Sequence, residues 1–297
     1  MSTDFAPDAF DRAVIGVVGG MGPAATGQFL VELAAALPVE HDQDHPRVLV
    51  LSDTKVPDRT TCIAAGDPAP GTMVRADLLR AAQLGASVLA VPCNTVHYFI
   101  DDFVDELPVP LVHIVDATLT AAMQASPEGA WLTATAGTVN TGLYQRLAAE
   151  RGYPLSVPSD EEKAAMMEII GEVKAGRMAR AGELYRGLAG RLRGERELPL
   201  MTACTELPLA FEASGLDPGI QISSLTALAH ATLVAAAGTI GHWPAEQPEP
   251  AEVRPSGPAS AGHPTQAWPL GRTSAGSGCS AGQWPMVPAA ATSVACA

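Results

Sequence analysis

The fold is decided by the way the first apolar segment ends, in the stretch VIGVVGGMGPAAT at residues 14–26. A short run of β-branched residues stops at a cluster of glycines, and a helical pattern follows at Ala24–Ala36. The same order recurs along the chain up to about residue 242. It includes an apolar run at Pro110–Val115 and helical patterns at Thr95–Glu106, Asp160–Ala175 and Met178–Arg193. Near-continuous apolar strands that alternate with helices are typical of a parallel sheet covered on both faces. We therefore predict an α/β fold, whose sites lie at the carboxyl ends of the strands.

The length of the chain fits about two domains of ordinary size. We expect two similar lobes, each a parallel sheet flanked by helices, with a cleft between them. The N-terminal lobe is predicted at residues 1–114, completed by about 212–242, and the second lobe at residues 115–211. Residues 243–297 are rich in Pro, Gly and Ala and have no sustained period, so we predict a disordered C-terminal tail.

Composition excludes several classes of protein. The 297 residues carry a formal net charge of −14, and 47% of them are hydrophobic. A chain this apolar is not disordered throughout, and an acidic chain without a basic stripe is not a general nucleic-acid binder. Met1–Arg12 lacks the features of a signal peptide, and the apolar stretch Leu225–Ile240 is too short to span a bilayer. We expect a soluble cytoplasmic protein with no nucleic-acid or membrane partner.

Two cysteines stand in matching places on the predicted strands. Cys93 follows the apolar run Val88–Val91 and precedes a helical pattern, and Cys204 follows Leu198–Thr202 in the same way. The N-terminus of a helix lowers the pKa of a thiol placed there. Two similar lobes that face each other would bring both sulfur atoms into one cleft. Cys62 lacks such a position, and we expect it to be a small buried residue.

The glycine turn at Gly19–Thr26 has three interpretations. Gly20-x-Gly22 fits a loose dinucleotide fingerprint, although Pro23 removes one N–H group from the phosphate cradle. The turn equally fits tight packing of a helix on the sheet, or a binding site for a small carboxylate. His41 and His45 have a spacing that can ligate a metal on a helix, but flanking prolines indicate a loop, and we predict no metal site.

The sequence resembles the aspartate/glutamate racemase family, and most of all its aspartate racemase branch. The resemblance covers residues 14 to about 230, and the two cysteine motifs are its specific part. The matching segments are Gly19–Thr26, Asp42–Pro46, Val56–Thr60, Pro92–His97, Ala134–Thr138 with Gly142 and Tyr144, Val173–Gly176 and Cys204–Glu206.

The resemblance implies a cofactor-independent isomerase of two α/β lobes with the active-site cleft between them. In that family two thiols work on opposite faces of an α-carbon. It makes Cys93 and Cys204 the catalytic acid/base pair. It assigns the substrate's α-carboxylate to Asn94, Thr95 and Thr138, and the side-chain carboxylate to Arg59 and Lys174. We also include Met21, Gly22 and Thr205 among the substrate-binding residues. The resemblance makes a homodimer plausible as well.

Two residues beside the cysteines have open roles. His97 lies one helical turn after Cys93 and either tunes its thiol or packs in the core. Glu206 either polarises the thiol of Cys204 or faces solvent at the start of a helix, where an acidic residue is favourable.

We therefore expect racemisation of a small acidic amino acid, aspartate or glutamate, by transfer of a proton between the two faces of one carbon. A single base cannot easily serve both faces, so two are expected. Alternative functions are a related dicarboxylate isomerase or decarboxylase, a dinucleotide-binding oxidoreductase, and a non-catalytic amino-acid-binding protein.

Overall fold

The computed structural model describes residue 5 and residues 9–238. Within them lie two four-stranded sheets in which every strand pairing is parallel. Helices cover both sheets, which confirms the predicted α/β fold with two parallel sheets flanked by helices. The tail predicted at residues 243–297 lies outside the described residues.

The first sheet has the spatial order β2-β1-β3-β4. Its central strand β1 is buried along its whole length, because it lies between β2 and β3 and under helices on both faces. This position explains why β1 is apolar without alternation. The four strands are β1 (Val14–Gly19), β2 (Arg47–Ser52), β3 (Val88–Ala90) and β4 (Leu111–Val112).

The second sheet repeats the connectivity of the first, with the order β6-β5-β7-β8. In each sheet the first strand in sequence lies between the second and the third, and the fourth strand forms an edge. The third strands, β3 and β7, therefore occupy equivalent places, and so do the loops that leave their carboxyl ends. The strands are β5 (Ala130–Thr133), β6 (Leu155–Ser156), β7 (Leu200–Thr202) and β8 (Gln221–Ser223).

Eleven α-helices occur in the described part of the chain. Helices α8, α9 and α10 pack together in a core cluster of the second lobe, while α1, α5 and α11 pack against one another beside the first sheet. The helices are α1 (Pro23–Ala36), α2 (Arg59–Ala65), α3 (Ala69–Gln83), α4 (His97–Ile100), α5 (Ile114–Ala125), α6 (Ala136–Asn140), α7 (Leu143–Glu150), α8 (Asp160–Lys174), α9 (Met178–Glu195), α10 (Leu207–Ser214) and α11 (Ser224–Gly238).

The segment predicted to complete the N-terminal lobe, residues 212–242, divides between the sheets. Its strand β8 pairs with β7 in the second sheet, whereas α11 returns to pack against α1 and α5. The lobe boundaries themselves stay a prediction. No helix in the described residues has the length and apolar character needed to cross a membrane.

Candidate active site

Both predicted catalytic cysteines lie just after the third strand of their sheet. Cys93 comes three residues after β3 and Cys204 two residues after β7, and each is followed by a helix, α4 or α10. Both side chains are buried, with 5% and 4% of their surface exposed. The repeated connectivity of the two sheets therefore places the two thiols at equivalent positions in the topology.

The two cysteines line one cavity of about 390 Å³ that includes some open solvent. Residues from both halves of the chain form its wall. The lining residues are Met21, Asp58, Arg59, Thr60, Cys93, Asn94, Thr95, Thr135, Met167, Ile170, Lys174, Cys204, Thr205 and Glu206.

Cys93 has a cation beside it. Burial raises the pKa of the Cys93 thiol, because a thiolate is poorly solvated there, but the charge of the Arg59 guanidinium lowers it in part. The backbone N–H group of Val96 lowers the pKa further. The surroundings of Cys93 thus favour the thiolate more than its burial alone would allow.

Cys204 has a carboxylate beside it instead. Its Sγ atom donates a hydrogen bond to Oε2 of Glu206 at 3.2 Å. Burial raises the pKa of the Cys204 thiol well above its ordinary value, and the negative charges of Glu206 and of an ionised Cys93 raise it further. Cys204 is therefore held as the protonated thiol.

Arg59 is the first residue of α2, and the backbone around it fixes its side chain. Its Nη2 atom donates to the carbonyl oxygen of Met21 at 3.0 Å, and Nη1 donates to those of Pro57 at 2.9 Å and Val56 at 3.3 Å. Asp58 caps the helix by accepting from the N–H group of Thr61 at 2.9 Å. The guanidinium is therefore positioned before any ligand is present, which favours binding of an anion.

Three threonine hydroxyls form a cluster at the cavity. Oγ1 of Thr95 is 2.9 Å from Oγ1 of Thr135 and 2.9 Å from Oγ1 of Thr138, so one cluster links the loop after Cys93 to α6. The neighbouring Asn94 is fixed by Tyr144, whose hydroxyl donates to Oδ1 at 2.5 Å, and by Ser224, which accepts from Nδ2 at 3.1 Å. These side chains offer neutral donors to a carboxylate.

Lys174 ends α8 at the mouth of the cavity and is exposed. Burial by itself raises the pKa of Asp58, but the hydrogen bonds from Thr61 and the charges of Arg59 and Lys174 bring it below its ordinary value. The mouth therefore carries two cations and one carboxylate.

Three of the predicted site residues lie behind the lining of the cavity. Gly22 faces Glu206, since a Cβ atom built on Gly22 would lie 3.3 Å from Oε1 of Glu206. Thr138 supports Thr95 through the contact between their hydroxyls. His97 supports Cys93: its Nδ1 atom is 2.8 Å from the carbonyl oxygen of Cys93.

The tautomer of His97 follows from these contacts. The carbonyl of Cys93 can only accept, so Nδ1 carries the proton, and Nε2 accepts from the N–H group of Ile114 at 3.5 Å. Burial, together with the charge of His113, holds the pKa of His97 well below its usual value, so the ring is neutral. A neutral ring fixes the Cys93 loop without adding a charge to it.

The sequence interpretation missed several lining residues. Asp58, Thr60 and Thr135 belong to segments that carry the family resemblance, so their positions gave a signal. Met167 and Ile170 line the cavity from α8, and nothing in their helical pattern distinguishes them from core residues.

The glycine turn is hydrogen-bonded to the helix that follows it. The N–H group of Gly20 donates to Oγ1 of Thr26 at 2.9 Å, and this hydroxyl donates to the carbonyl oxygen of Gly22 at 3.0 Å. Gly20 has a φ of +91°, and a Cβ atom there would collide with the backbone of Asp53. The turn is thus closed on its own helix, as in the tight-packing interpretation. Among the described residues, no group of three or more His, Cys, Asp or Glu side chains is arranged to hold a metal ion.

The two parallel sheets flanked by helices, with a cysteine after the third strand of each beside one polar cavity, define an α/β protein whose candidate site contains two thiols. The model of the Asp/Glu/Hydantoin racemase family matches residues 18–232, and the chain belongs to this family. The protein is accordingly an isomerase, and the resemblance stated from the sequence is confirmed.

Known proteins of this family are similar over most of the described chain. The broad specificity amino-acid racemase RacX of Bacillus subtilis (strain 168) is 24% identical over 203 residues, which are 65% of this chain and 86% of RacX. The structure of an aspartate racemase from Picrophilus torridus has a TM-score of 0.66 at 26% identity, covering 76% of this chain and 94% of that one. An aspartate racemase homologue from Pyrococcus horikoshii OT3 shares the fold with a TM-score of 0.62 at 23% identity, covering 76% and 99%.

Proposed function

We propose that the protein racemises a small acidic amino acid, aspartate or glutamate, by moving its α-proton between Cys93 and Cys204 without a cofactor. The observation that carries this proposal is that two buried thiols line one cavity and have neighbours of opposite charge, Arg59 beside Cys93 and Glu206 beside Cys204. Racemisation needs one base and one acid at the same time, and these neighbours favour that division.

The first step is removal of the α-proton. The thiolate of Cys93 takes the proton from the α-carbon, and the electron pair of the C–H bond stays on the substrate as a carbanion. Hydrogen bonds from Asn94 and the threonine cluster to the α-carboxylate stabilise the charge that develops there.

The second step is proton delivery from the opposite face. Cys204 gives its thiol proton to the α-carbon, which inverts the centre and leaves Cys204 as the thiolate and Cys93 as the thiol. An enzyme in that form is ready for the opposite enantiomer, and proton exchange between the sulfurs and solvent restores the first form. Each positioned acid or base contributes about 10²–10⁴-fold in rate.

The charges around the cavity support an acidic substrate. Arg59 has a fixed guanidinium that can pair with a carboxylate in two parallel hydrogen bonds, while Lys174 at the mouth acts as a point charge. The local field of these cations lets an acidic protein bind an anion, because affinity depends on the charges near the ligand more than on the net charge.

The test is exchange of the α-proton in D₂O. We expect the protein, with chelator and without pyridoxal phosphate, to exchange the α-proton of both L- and D-aspartate with inversion. Cys93→Ala and Cys204→Ala should each reduce racemisation by about 10²-fold or more. Cys62→Ala is the matched control, because Cys62 is also buried but does not line the cavity.

Two results would contradict the proposal. One is the absence of exchange from aspartate and from glutamate with the folded wild-type protein. The other is full racemisation by either cysteine variant.

Arg59→Ala should weaken the binding of aspartate while it changes the melting temperature of the protein little. The cytoplasmic location and the homodimer expected from the sequence stay predictions.

A further inference from the structure

Glu206 has one carboxylate oxygen without a hydrogen-bond partner among the described residues. Its Oε2 atom accepts from Sγ of Cys204 at 3.2 Å and from Oγ1 of Thr205 at 3.3 Å, whereas no hydrogen bond in this part of the chain reaches Oε1. Glu206 is only 5% exposed and lines the cavity. Oε1 is not one of the buried side-chain atoms that lack a partner in the described residues, so it stays accessible from the cavity and can accept from a donor of a ligand.

Gly22 leaves space beside this oxygen. A Cβ atom on Gly22 would lie 3.3 Å from Oε1, which is closer than ordinary contact. The backbone of Gly22 is extended, with φ −103° and ψ 169°, so its conformation does not require glycine. The missing side chain therefore provides room next to Oε1.

The other polar side chains that line the cavity differ in whether they offer hydrogen-bond donors or acceptors to a ligand. Arg59, Lys174 and Asn94 donate hydrogen bonds and suit carboxylates, but a substrate ammonium group has three donors and needs acceptors. The other carboxylate of the lining, Asp58, is exposed, and its Oδ1 atom already accepts from the N–H group and the hydroxyl of Thr61. Glu206 is therefore the better placed acceptor.

We propose that Oε1 of Glu206 binds the α-ammonium group of the amino acid, with Gly22 providing the room. This inference rests on the proposed function and adds a recognition element to it. It makes Glu206 a bridge between substrate and acid, since one oxygen contacts the ammonium group and the other holds the Cys204 thiol.

The arrangement has a consequence for the reaction. A carboxylate beside the ammonium group keeps that group protonated, and a protonated ammonium group withdraws electrons from the α-carbon. The bound positive charge also offsets the negative charge of Glu206 near Cys204. Binding of an amino acid therefore prepares both the C–H bond and the thiol that later gives its proton.

The experiment compares ligands with and without the ammonium group. Calorimetry gives the dissociation constants of L-aspartate and of succinate, which lacks only that group, with L-glutamate and glutarate as a second pair. We expect the wild-type protein to prefer the amino acid by about tenfold or more, as for a charge-assisted hydrogen bond. Glu206→Gln should reduce this preference by about tenfold, while succinate binds as well as before or better.

Two further variants distinguish loss of the contact with the ammonium group from a general loss of structure. Gly22→Ala keeps the charge of Glu206 but places a methyl group against Oε1, so it should reduce the same preference. Asp58→Asn is the matched control: asparagine is an equally good helix cap, and only the other carboxylate of the cavity is lost. It should leave the preference unchanged. Melting temperatures confirm that each variant is folded.

The inference is wrong if the preference is unchanged in both Glu206→Gln and Gly22→Ala. It is also wrong if Asp58→Asn reduces the preference, since the ammonium group then lies at Asp58. These outcomes differ from failure of the proposed function, in which the wild-type protein does not exchange the α-proton at all.

Discussion

Cys93 and Cys204 have equivalent positions in the two sheets but opposite charges beside them. Arg59 lowers the pKa of Cys93, which burial has raised, whereas Glu206 adds to the effect of burial on Cys204. Activity that needs a thiolate at Cys93 and a thiol at Cys204 rises with pH as Cys93 ionises. It falls again at higher pH, when Cys204 loses its proton as well.

Glu206→Gln should move the alkaline decline of kcat to lower pH. The variant removes the negative charge that raises the pKa of Cys204, so this thiol ionises earlier as pH rises. The measurement is the pH profile of kcat, together with the pH dependence of alkylation by iodoacetamide. Glu212→Gln, which changes an exposed glutamate of α10, is the matched control and should leave the profile unchanged. If the alkaline limb of the kcat profile stays in place in Glu206→Gln, Glu206 does not influence the ionisation of Cys204.

His97 links stability to pH. Burial lowers its pKa well below the ordinary value of about 6.5, so the folded protein keeps the ring neutral while the unfolded chain binds a proton below that pH. The free energy that His97 contributes is therefore fully present above about pH 6.5 and is lost as pH falls, by about 1.4 kcal/mol per pH unit.

His97→Asn should be destabilised at pH 7, and the gap to the wild type should narrow as the pH is lowered to 5.5. Asparagine can still donate to the carbonyl of Cys93, but it does not titrate. Urea unfolding at the two pH values measures the gap. A gap that is constant across this range would mean that His97 binds a proton as readily in the folded protein as in the unfolded chain.

Helices α2 and α6 approach each other over the cavity through a glycine. A Cβ atom on Gly137 of α6 would lie 2.7 Å from Oγ1 and 3.1 Å from Cα of Thr60 in α2, and 3.1 Å from Cγ2 of Thr95. Because α2 begins with Arg59, the distance between these two helices determines where the guanidinium lies.

Gly137→Ala should push α2 away from α6. We expect a loss of about 1–3 kcal/mol in stability from overpacking. We also expect a fall of about tenfold to a hundredfold in kcat/KM, because Arg59 is displaced. Urea unfolding and steady-state kinetics measure the two effects.

Gly190→Ala is the control for this substitution. Gly190 lies in the middle of α9 with open space around its Cα, so alanine should stabilise the helix by about 0.5–1 kcal/mol without a change in kinetics. Equal behaviour of the two variants would show that the contact between α2 and α6 does not position Arg59.

The sequence predicted the long elements better than the short ones. The apolar strand β1 and the amphipathic helices α8 and α9 were identified, because their patterns extend over many residues. The helix predicted at Thr95–Glu106 is instead α4 and a 3-10 turn at residues 104–106. Some hydrogen bonds in this segment span three residues instead of four, such as the one from the N–H group of Phe99 to the carbonyl oxygen of Val96. The strand predicted at Pro110–Val115 is only β4, because α5 begins at Ile114.

The candidate site was predictable where a reactive side chain comes directly after the end of a strand. Cys93 and Cys204 stand at such points, and both line the cavity. Thr135, Met167 and Ile170 reach the cavity only because the second lobe folds against the first, and this approach depends on contacts far apart in sequence. No local pattern encodes it.

The buried residues that form the described hydrophobic core extend along the chain from Ala9 to Ala236. Helix α11 is its last contribution: Leu225, Leu228 and Leu233 are all buried, and the helix packs against α1 and α5. The family match ends at residue 232, inside this helix. The part of the chain that carries the fold therefore includes α11.

Truncation on either side of α11 tests where the fold ends. A chain that ends after His242 keeps this core, so we expect its melting temperature to stay within about 2 °C of the full chain, which corresponds to less than ~1 kcal/mol. Its kcat should also be unchanged. A chain that ends after Ser223 loses three buried leucines at about 1.5–3 kcal/mol each, which approaches the whole stability of an ordinary domain. It should not fold, as circular dichroism will show. If the chain ending after His242 melts several degrees lower or loses activity, residues 243–297 contribute to the folded protein, and the tail predicted from composition is part of its structure.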